Sequence, residues 1–401
     1  MKVTFLLTQS LESPSGAGRY WPIAKGLARL GYEVTILALH HNYRALKQRH
    51  FLTDGVKVHY IGQMHVRKVG NQKFYFNPVR LIWISLVATL QLTQMALRVP
   101  SDVYHICKPH PMNGIAGLIA KYTARKHIFL DCDDYESFSN RFAGIWQQQV
   151  VAYFENRLPI YTTGITTNTH FMMKRLESLG YPCDRIIYVP NGVDRERFQY
   201  IDFAEVESLR KRLNLYGHKV ILYVGSMSLV SHAVDLLLEA FAIVHQYEKR
   251  AVLVLVGGGE DYEKLKSQST SLGLSPYIRF VGRVPSDLIP FYYHLADVSV
   301  DPVHNDIVAK SRSPLKIFES LAAGVPVVTG NVGDRCQYLG MGKAGKLVIP
   351  GDPHSLATGI LEILQNPGIA MQMRQAAESL REKYYWDVLV KDFAKLYEFL
   401  V

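Results

Sequence analysis

Cations, glycines and carboxylates gather at four places along this 401-residue sequence where they could do chemistry. The densest is Asp301-Pro302-Val303-His304-Asn305-Asp306-Ile307-Val308-Ala309-Lys310-Ser311-Arg312-Ser313-Pro314-Leu315-Lys316-Ile317-Phe318-Glu319. A strand-like run ends at Asp301, a polar loop carries Lys310, Arg312 and Lys316, and Pro314 stands where helices favour a start. A helix start offers unpaired N–H groups and partial positive charge, which together make an anion site. The alternative is a solvated basic loop. Glu319, more than a turn into that helix, is placed to accept hydrogen bonds from sugar or ribose hydroxyls. A second place is Thr8-Gln9-Ser10-Leu11-Glu12-Ser13-Pro14-Ser15-Gly16-Ala17-Gly18-Arg19-Tyr20, a small-residue loop that opens a helix after the first strand. Gly16-Ala17-Gly18 lacks the third glycine of a dinucleotide fingerprint, so a phosphate loop and a merely tight turn both stand. Val256-Gly257-Gly258-Gly259-Glu260 ends a strand in the same way, with the same two readings. The fourth is the carboxylate group Asp133, Asp134 and Glu136, in which no pair of the kind that hydrolyses glycosidic bonds is identified.

The elements that must position these residues alternate between strand-like apolar runs and helix-length segments, the pattern of parallel sheets covered by helices. The first series of strands is 3–7, 33–39, 56–61, 103–106, 127–131, 164–167 and 185–189. After the turn-rich Pro190-Asn191-Gly192-Val193-Asp194 comes a second series, 220–224, 252–256, 278–281, 298–301 and 326–329. The expected organisation is α/β, with two Rossmann-like doubly wound parallel-sheet domains at residues 1–195 and 196–383, and a terminal helix over 384–401.

A length beyond the roughly 250–300 residues of one core also calls for two domains. Hydrophobic residues make up 48% and charged residues 20%, the balance of a globular protein. Cys107, Cys132, Cys183 and Cys336 are scattered without a C-x-x-C pair, so neither a zinc site nor a disulfide framework is indicated. With an N-terminal apolar run too short for a signal peptide, the expectation is a cytoplasmic protein. The charge-free stretch Leu81 to Leu97 falls short of the ~20 residues that cross a bilayer and is expected to form a core helix. A net charge of +10 calls for an anionic partner. No zinc-finger, helix-turn-helix or RNP1 pattern accompanies it, so nucleic acid is not expected. Val66 to Phe76 interleaves cations with aromatics, which suits peripheral contact with an anionic membrane at its inner face, a solvated loop being the alternative.

The pieces Pro190-Asn191-Gly192-Val193-Asp194, Tyr223-Val224-Gly225, Val234-Asp235-Leu236-Leu237-Leu238-Glu239-Ala240-Phe241, Val256-Gly257-Gly258-Gly259 and Pro314-Leu315-Lys316-Ile317-Phe318-Glu319, with Trp386-Asp387 near the end, follow one another in an order that resembles the family 4 retaining glycosyltransferases. The resemblance implies a GT-B fold with an inter-domain cleft, the C-terminal domain holding a nucleotide-sugar donor and the last helix returning to the first domain. It implies that Glu319 binds the donor ribose, that backbone amides near Pro314, Leu315 and Lys316 cradle the distal phosphate and sugar, and that Arg283 and Val284 lie against the base. Gly16, Ala17 and Gly18 match the loop that faces the diphosphate, and Gly225 the end of the first C-domain strand.

Departures from the family pattern bear on the charge at this site. Ser311 stands where the family has the first of two glutamates, Ser226 and His232 where it has a diphosphate-binding arginine and lysine, and Asp133 where it commonly has a histidine. Arg312 and Lys316, with Lys310, are then expected to supply the missing positive charge, since a leaving diphosphate must be stabilised electrostatically when no metal does so. Asp133 is the acceptor-side catalytic candidate, with the leaving phosphate ranked ahead of it for the acceptor proton. No metal is expected, because no Asp-x-Asp pair follows a strand beside the phosphate loops, and no cofactor beyond the nucleotide-sugar substrate. The expected activity is transfer of a hexose, glucose from UDP-glucose by family frequency, to a saccharide or lipid-linked saccharide hydroxyl in polysaccharide or glycolipid assembly. A nucleotide-binding GT-B protein without transferase activity, and an epimerase or synthase on the same fold, are the alternatives.

Overall fold

The computed structural model describes residues 1–69 and 72–400, with side chains throughout except at 69, 72 and 73. The chain divides into two units, one made of Met1–Val69, Lys73–Asn191 and Trp386–Val401, the other chiefly of Gly192–Tyr385.

In the first unit the strands are β1 (Lys2–Leu7), β2 (Glu33–His40), β3 (His50–Thr53), β4 (Val56–Gln63), β5 (Val66–Val69), β6 (Gln72–Tyr75), β7 (Val103–Cys107), β8 (His127–Cys132), β9 (Gly164–Thr167) and β10 (Ile186–Tyr188). Eight of them form a sheet in the order β10-β9-β8-β7-β1-β2-β4-β3, while β5 and β6 make a separate two-stranded ribbon. Among the described residues, the pairings in the eight-stranded sheet are parallel except that of β3 with β4. The central strands are apolar on both faces because helices cover both, as a parallel sheet requires. The edge strand β3 is mostly exposed and short of apolar residues, so no buried-strand signal marks it in the sequence.

The helices that matter here are α1 (Trp21–Arg29), α2 (Pro78–Arg98) and α3 (Pro111–Ala124). The terminal helix Trp386–Ala394 lies against α1 at Gly26, where an added Cβ would meet Val390 at 2.9 Å. Phe393, Leu396 and Tyr397 continue into the core with Phe5 and Phe129, each buried aromatic or aliphatic side chain contributing about 1.5–3 kcal/mol. The indole of Trp386 donates to the carbonyl of Gly18 at 3.1 Å.

The segment 81–97 is not a core helix. It lies within the 21-residue α2, where only Ala88, Leu92 and Ala96 are buried, while Val79, Trp83 and Leu90 are 80%, 66% and 69% exposed. Ala88, Leu92 and Ala96, at four-residue spacing, form the one face laid against the sheet, and large exposed apolar residues occupy the opposite face. Of the basic and aromatic run 66–76, Gly70 and Asn71 lie outside the described residues.

The second unit holds β11 (Lys219–Val224), β12 (Ala251–Val256), β13 (Ile278–Gly282), β14 (Val298–Asp301), β15 (Val327–Gly330) and β16 (Gly345–Val348), all parallel, in the order β13-β12-β11-β14-β15-β16. Its helices pack two apolar layers onto the two faces of this sheet.

Candidate functional site

In the second unit β11 sits between β12 and β14, so the direction of winding reverses there and a crevice opens beyond the carboxyl ends of β11 and β14. Gly225 and Ser226 leave β11 at that edge, and Asp301 ends β14. Asp301 is buried, with one oxygen 3.0 Å from Lys316 Nζ and the other 2.8 Å from Arg335 Nε. Burial alone would raise its pKa, but the two cations and their hydrogen bonds hold the carboxyl well below the usual range. Two cations on one carboxylate leave one net positive charge beside the start of the helix Leu315–Ala322, for which Pro314 is the N-cap. The first amides of that helix, those of Leu315 and Lys316, are the ones an α-helix leaves without an internal partner. The structure therefore gives Lys316 a counter-ion that the sequence did not reveal, and adds Arg335, which opens the short helix Arg335–Tyr338 after β15, far from Asp301 in sequence.

Ser311 is wholly buried and donates to the Val308 carbonyl at 3.0 Å. Arg312 donates to the carbonyl of Ser231 at 2.6 Å, tying the basic loop to the loop after β11, and His232 in that same loop is hydrogen-bonded through Nδ1 with the Ser231 hydroxyl at 2.9 Å. Lys310 ends the short helix Ile307–Lys310 just before them. The glycines after β12 have a steric reason: a Cβ on Gly257, at φ +136°, would lie 1.8 Å from the Gly225 carbonyl oxygen, and one on Gly259 2.3 Å from that of Met227. Arg283 and Val284 follow β13 directly; burial lowers the pKa of Arg283, with Glu260 acting against it.

Glu319 lies 3.5 Å from Arg197 and accepts from the Tyr293 hydroxyl at 3.4 Å. Burial pushes its carboxyl above the usual range, and Arg197 pulls the other way. Both contacts are long, so a hydroxyl pair can compete for the carboxylate. Replacing Glu319 with alanine is expected to weaken nucleoside diphosphate binding about 10- to 150-fold, the equivalent of a lost hydrogen bond to a charged group at roughly 1.5–3 kcal/mol. Calorimetry on the folded variant checks it, and an unchanged Kd removes Glu319 from the site.

The first unit reverses its winding between β1 and β7, and the carboxyl ends of these strands and β8 carry its polar residues. Arg19, wholly buried, grips Asp131 with two 2.7 Å hydrogen bonds and also donates to the Val189 carbonyl and to Asn191 Oδ1. This explains the Pro190-Asn191 turn. Burial would raise the pKa of Asp131, but Arg19 overrides it and keeps it lowered. Lys108, buried and at φ +76°, reaches Asp133 at 2.8 Å, Asp134 at 3.2 Å and Glu136 at 2.6 Å. The second oxygen of Glu136 is 3.0 Å from His110 Nε2, and His110 Nδ1 is 2.7 Å from the Thr8 hydroxyl. Burial together with Asp134, Asp131 and Glu136 pushes the Asp133 carboxyl up to about 7 against the pull of Lys108. These three carboxylates are close enough to hold a metal ion, and the cation among them is the Lys108 ammonium. Glu12, His40 and His41 are also close together, but Nδ1 of His40 accepts the Asn42 N–H. The His40 proton is thereby placed on Nε2, the atom facing Glu12 at 3.5 Å, which leaves that nitrogen no lone pair for a metal.

In the loop after β1, the N–H of Gly16 donates to the Ser13 hydroxyl at 3.1 Å and that of Ala17 to the Ser13 carbonyl at 2.8 Å. A Cβ at Gly16 would lie 2.2 Å from the Ser10 carbonyl oxygen. The glycine is required by the tight turn, and two of the amides expected to face a phosphate are engaged within the loop. Arg19 and Lys108 were missed because an isolated arginine in a helix and a lysine after a strand carry no spacing signal.

Residues 15–197 match the family model described as Glycosyltransferase Family 4, and residues 205–380 match Glycosyl transferases group 1. This chain belongs to the family 4 glycosyltransferases. Within the family, it is 31% identical over 242 residues to the GDP-mannose-dependent alpha-(1-6)-phosphatidylinositol monomannoside mannosyltransferase of Mycobacterium tuberculosis, a match covering 60% of this chain and 62% of that relative, less than two thirds of its length. The fold is GT-B. It superposes with a TM-score of 0.81 and 16% identity on sucrose-phosphate synthase from Thermosynechococcus elongatus, covering 100% of this chain and 99% of that one. Against Anabaena HepE in complex with UDP and glucose, the TM-score is 0.74 at 20% identity, with 100% and 99% covered.

Proposed function

We propose that this family 4 glycosyltransferase transfers a hexose from a nucleoside-diphosphate sugar held by the second unit to a hydroxyl acceptor bound by the first. The observation that carries this is the helix start at Pro314, where Lys316 and Arg335 converge on one buried Asp301 and leave a net positive charge next to unpaired amides. A leaving diphosphate develops charge where such preorganised groups stabilise it most. Retention at the anomeric carbon follows the family reading, and independence from metal follows from the lack of an Asp-x-Asp pair after a strand beside the phosphate loops. The UDP-glucose expectation rests on family frequency, whereas the mycobacterial relative is GDP-mannose-dependent, so both donors belong in the test. Thermal unfolding with UDP and GDP, then donor hydrolysis and transfer from UDP-glucose and GDP-mannose in EDTA, reads binding, turnover and metal dependence. Stabilisation by about 2.7 kcal/mol is expected at 100 times the Kd. Binding without hydrolysis or transfer would leave a nucleotide-binding protein, a reading that Ser226, His232 and Ser311 favour. Activity lost in EDTA and restored by manganese would overturn the metal-free reading.

In this proposal Asp133 is the acceptor-side anion and the leaving phosphate takes the hydroxyl proton. With its carboxyl pushed up to about 7, the ionised fraction falls as the pH drops through neutrality. Turnover is therefore expected to decline on the acid side of about pH 7, and Asp133→Asn to lower kcat and flatten that limb. A wild-type profile in Asp133→Asn would remove the assignment.

A further inference from the structure

Between residues 41 and 100 the sequence has nine lysines and arginines and one acidic residue, Asp54, so most of the net charge of the chain arises in this stretch. Within it a cavity of about 580 Å³ opens beside α2, lined among others by Arg44, Arg67, Arg80, Tyr43, Phe76 and Trp83. Among the described residues, no acidic side chain lines it. The Arg80 guanidinium lies 5.0 Å from the Phe76 ring, which orients it without neutralising it. Three guanidinium groups around one opening form a site for a phosphate-bearing anion, because the planar fork of arginine matches phosphate oxygens.

The cavity adjoins an apolar surface. Val79, Ile82, Trp83, Leu86 and Leu90 recur at the spacing of one helical face and are all exposed. Trp83 belongs to both, lining the cavity and standing on that face. The helix is long and apolar enough to cross a membrane, but its other face holds it on the sheet: Ala88, Leu92 and Ala96 are buried, and the Tyr104 hydroxyl donates to the Ala96 carbonyl at 2.7 Å. A helix fixed along one side and apolar along the other lies in an interface instead of spanning it.

We infer that the arginine cavity and the exposed face of α2 together form a docking site for an anionic phospholipid bilayer, the cavity taking a headgroup phosphate while the apolar face enters the acyl boundary. The inference goes beyond the transferase reading and does not depend on it, and the charge complementarity of cavity and phosphate selects the bilayer as occupant. Full-length protein is sedimented with vesicles of phosphatidylcholine mixed with phosphatidylglycerol, and with phosphatidylcholine alone. Selective co-pelleting with the anionic vesicles is expected. Arg44→Ala, Arg67→Ala and Arg80→Ala combined should lower the partition coefficient about a hundredfold, each basic side chain near such a surface contributing about a factor of five. Leu86→Asp with Leu90→Asp should abolish binding although no cation is lost. Both variants alter exposed positions, so unchanged thermal unfolding is expected and confirms folding. Tryptophan quenching by brominated lipid, lost in Trp83→Phe, places the face in the acyl region. Equal pelleting with neutral vesicles, wild-type pelleting by the arginine variant, or no quenching of Trp83 would overturn the inference. So would inorganic phosphate binding at the cavity with no vesicle association, which would make it a site for a soluble anion.

Discussion

Lys108→Met is expected to lose about 3–5 kcal/mol of stability at pH 7, the usual result of removing one partner from a buried ion pair. That is a large part of the 5–15 kcal/mol typical of a folded domain. Its ammonium is the cation among Asp133, Asp134 and Glu136, and it is held in a left-handed backbone conformation that costs a lysine roughly 1–2 kcal/mol. Such strain persists only where the surroundings enforce it. Without the ammonium, the buried carboxylates can be accommodated only by protonation, so their folded-state pKa values rise above the unfolded values near 4. The folded variant then keeps protons that its unfolded chain releases, and its deficit relative to wild type is full at pH 7 and shrinks as the pH falls toward 5. In the wild type, Glu136 works in the other direction: burial opposes ionisation, Lys108 and His110 overcome it, and the lowered pKa gives stability that is lost on acidification. Urea unfolding at the two pH values measures the difference. If the variant does not fold at pH 7, adding Asp133→Asn and Glu136→Gln should restore it by removing the stranded charges. An equal deficit at both pH values, or no rescue, would show that Lys108 acts through packing and not through charge.

The two-unit α/β architecture was legible because parallel strands are buried on both faces and leave long apolar runs, as in 219–224 and 251–256. Edge elements were not. β3 and β16 are four residues long and partly exposed, so neither alternation nor a continuous apolar run marks them. The α2 segment shows the limit of composition: its length and apolarity are those of a core helix, and only the placement of Ala88, Leu92 and Ala96 toward the sheet reveals that its larger residues face outward. At the candidate site, residues adjacent in sequence were legible as a group, Lys310 to Glu319 above all. Partners brought by other elements were not, because Arg335 reaches Asp301 across 34 positions, Arg197 reaches Glu319 across 122 and Arg19 reaches Asp131 across 112. Single-residue readings of charge consequently overstated what Lys316 has free: one Asp301 oxygen already occupies it.

That pairing sharpens the expectation for the basic loop. Arg312→Ala is expected to cut kcat about 10²–10³-fold, the usual loss of one preorganised donor to developing charge, with little change in nucleoside diphosphate Kd or in thermal unfolding. Its guanidinium is anchored by the Ser231 carbonyl at 2.6 Å, in the loop where Ser226 and His232 replace the usual cations, so it is positioned beside that loop. Interactions that strengthen in the transition state act on kcat more than on binding. Lys316→Met should differ in kind. It lowers kcat, but it also leaves the buried Asp301 with Arg335 as its remaining cation, and the pKa of that carboxylate, held down by Lys316 first and Arg335 second, rises. Stability that the lowered pKa provided above the unfolded value is then reduced, so Lys316→Met loses thermal stability at neutral pH where Arg312→Ala does not. Steady-state kinetics with an active donor and acceptor pair, run beside thermal unfolding of both variants, separates the two effects. Near-normal kcat in Arg312→Ala and Lys316→Met alike would show that the helix-start amides and Arg335 stabilise the leaving diphosphate without the loop, and that these two cations do not replace the missing arginine and lysine.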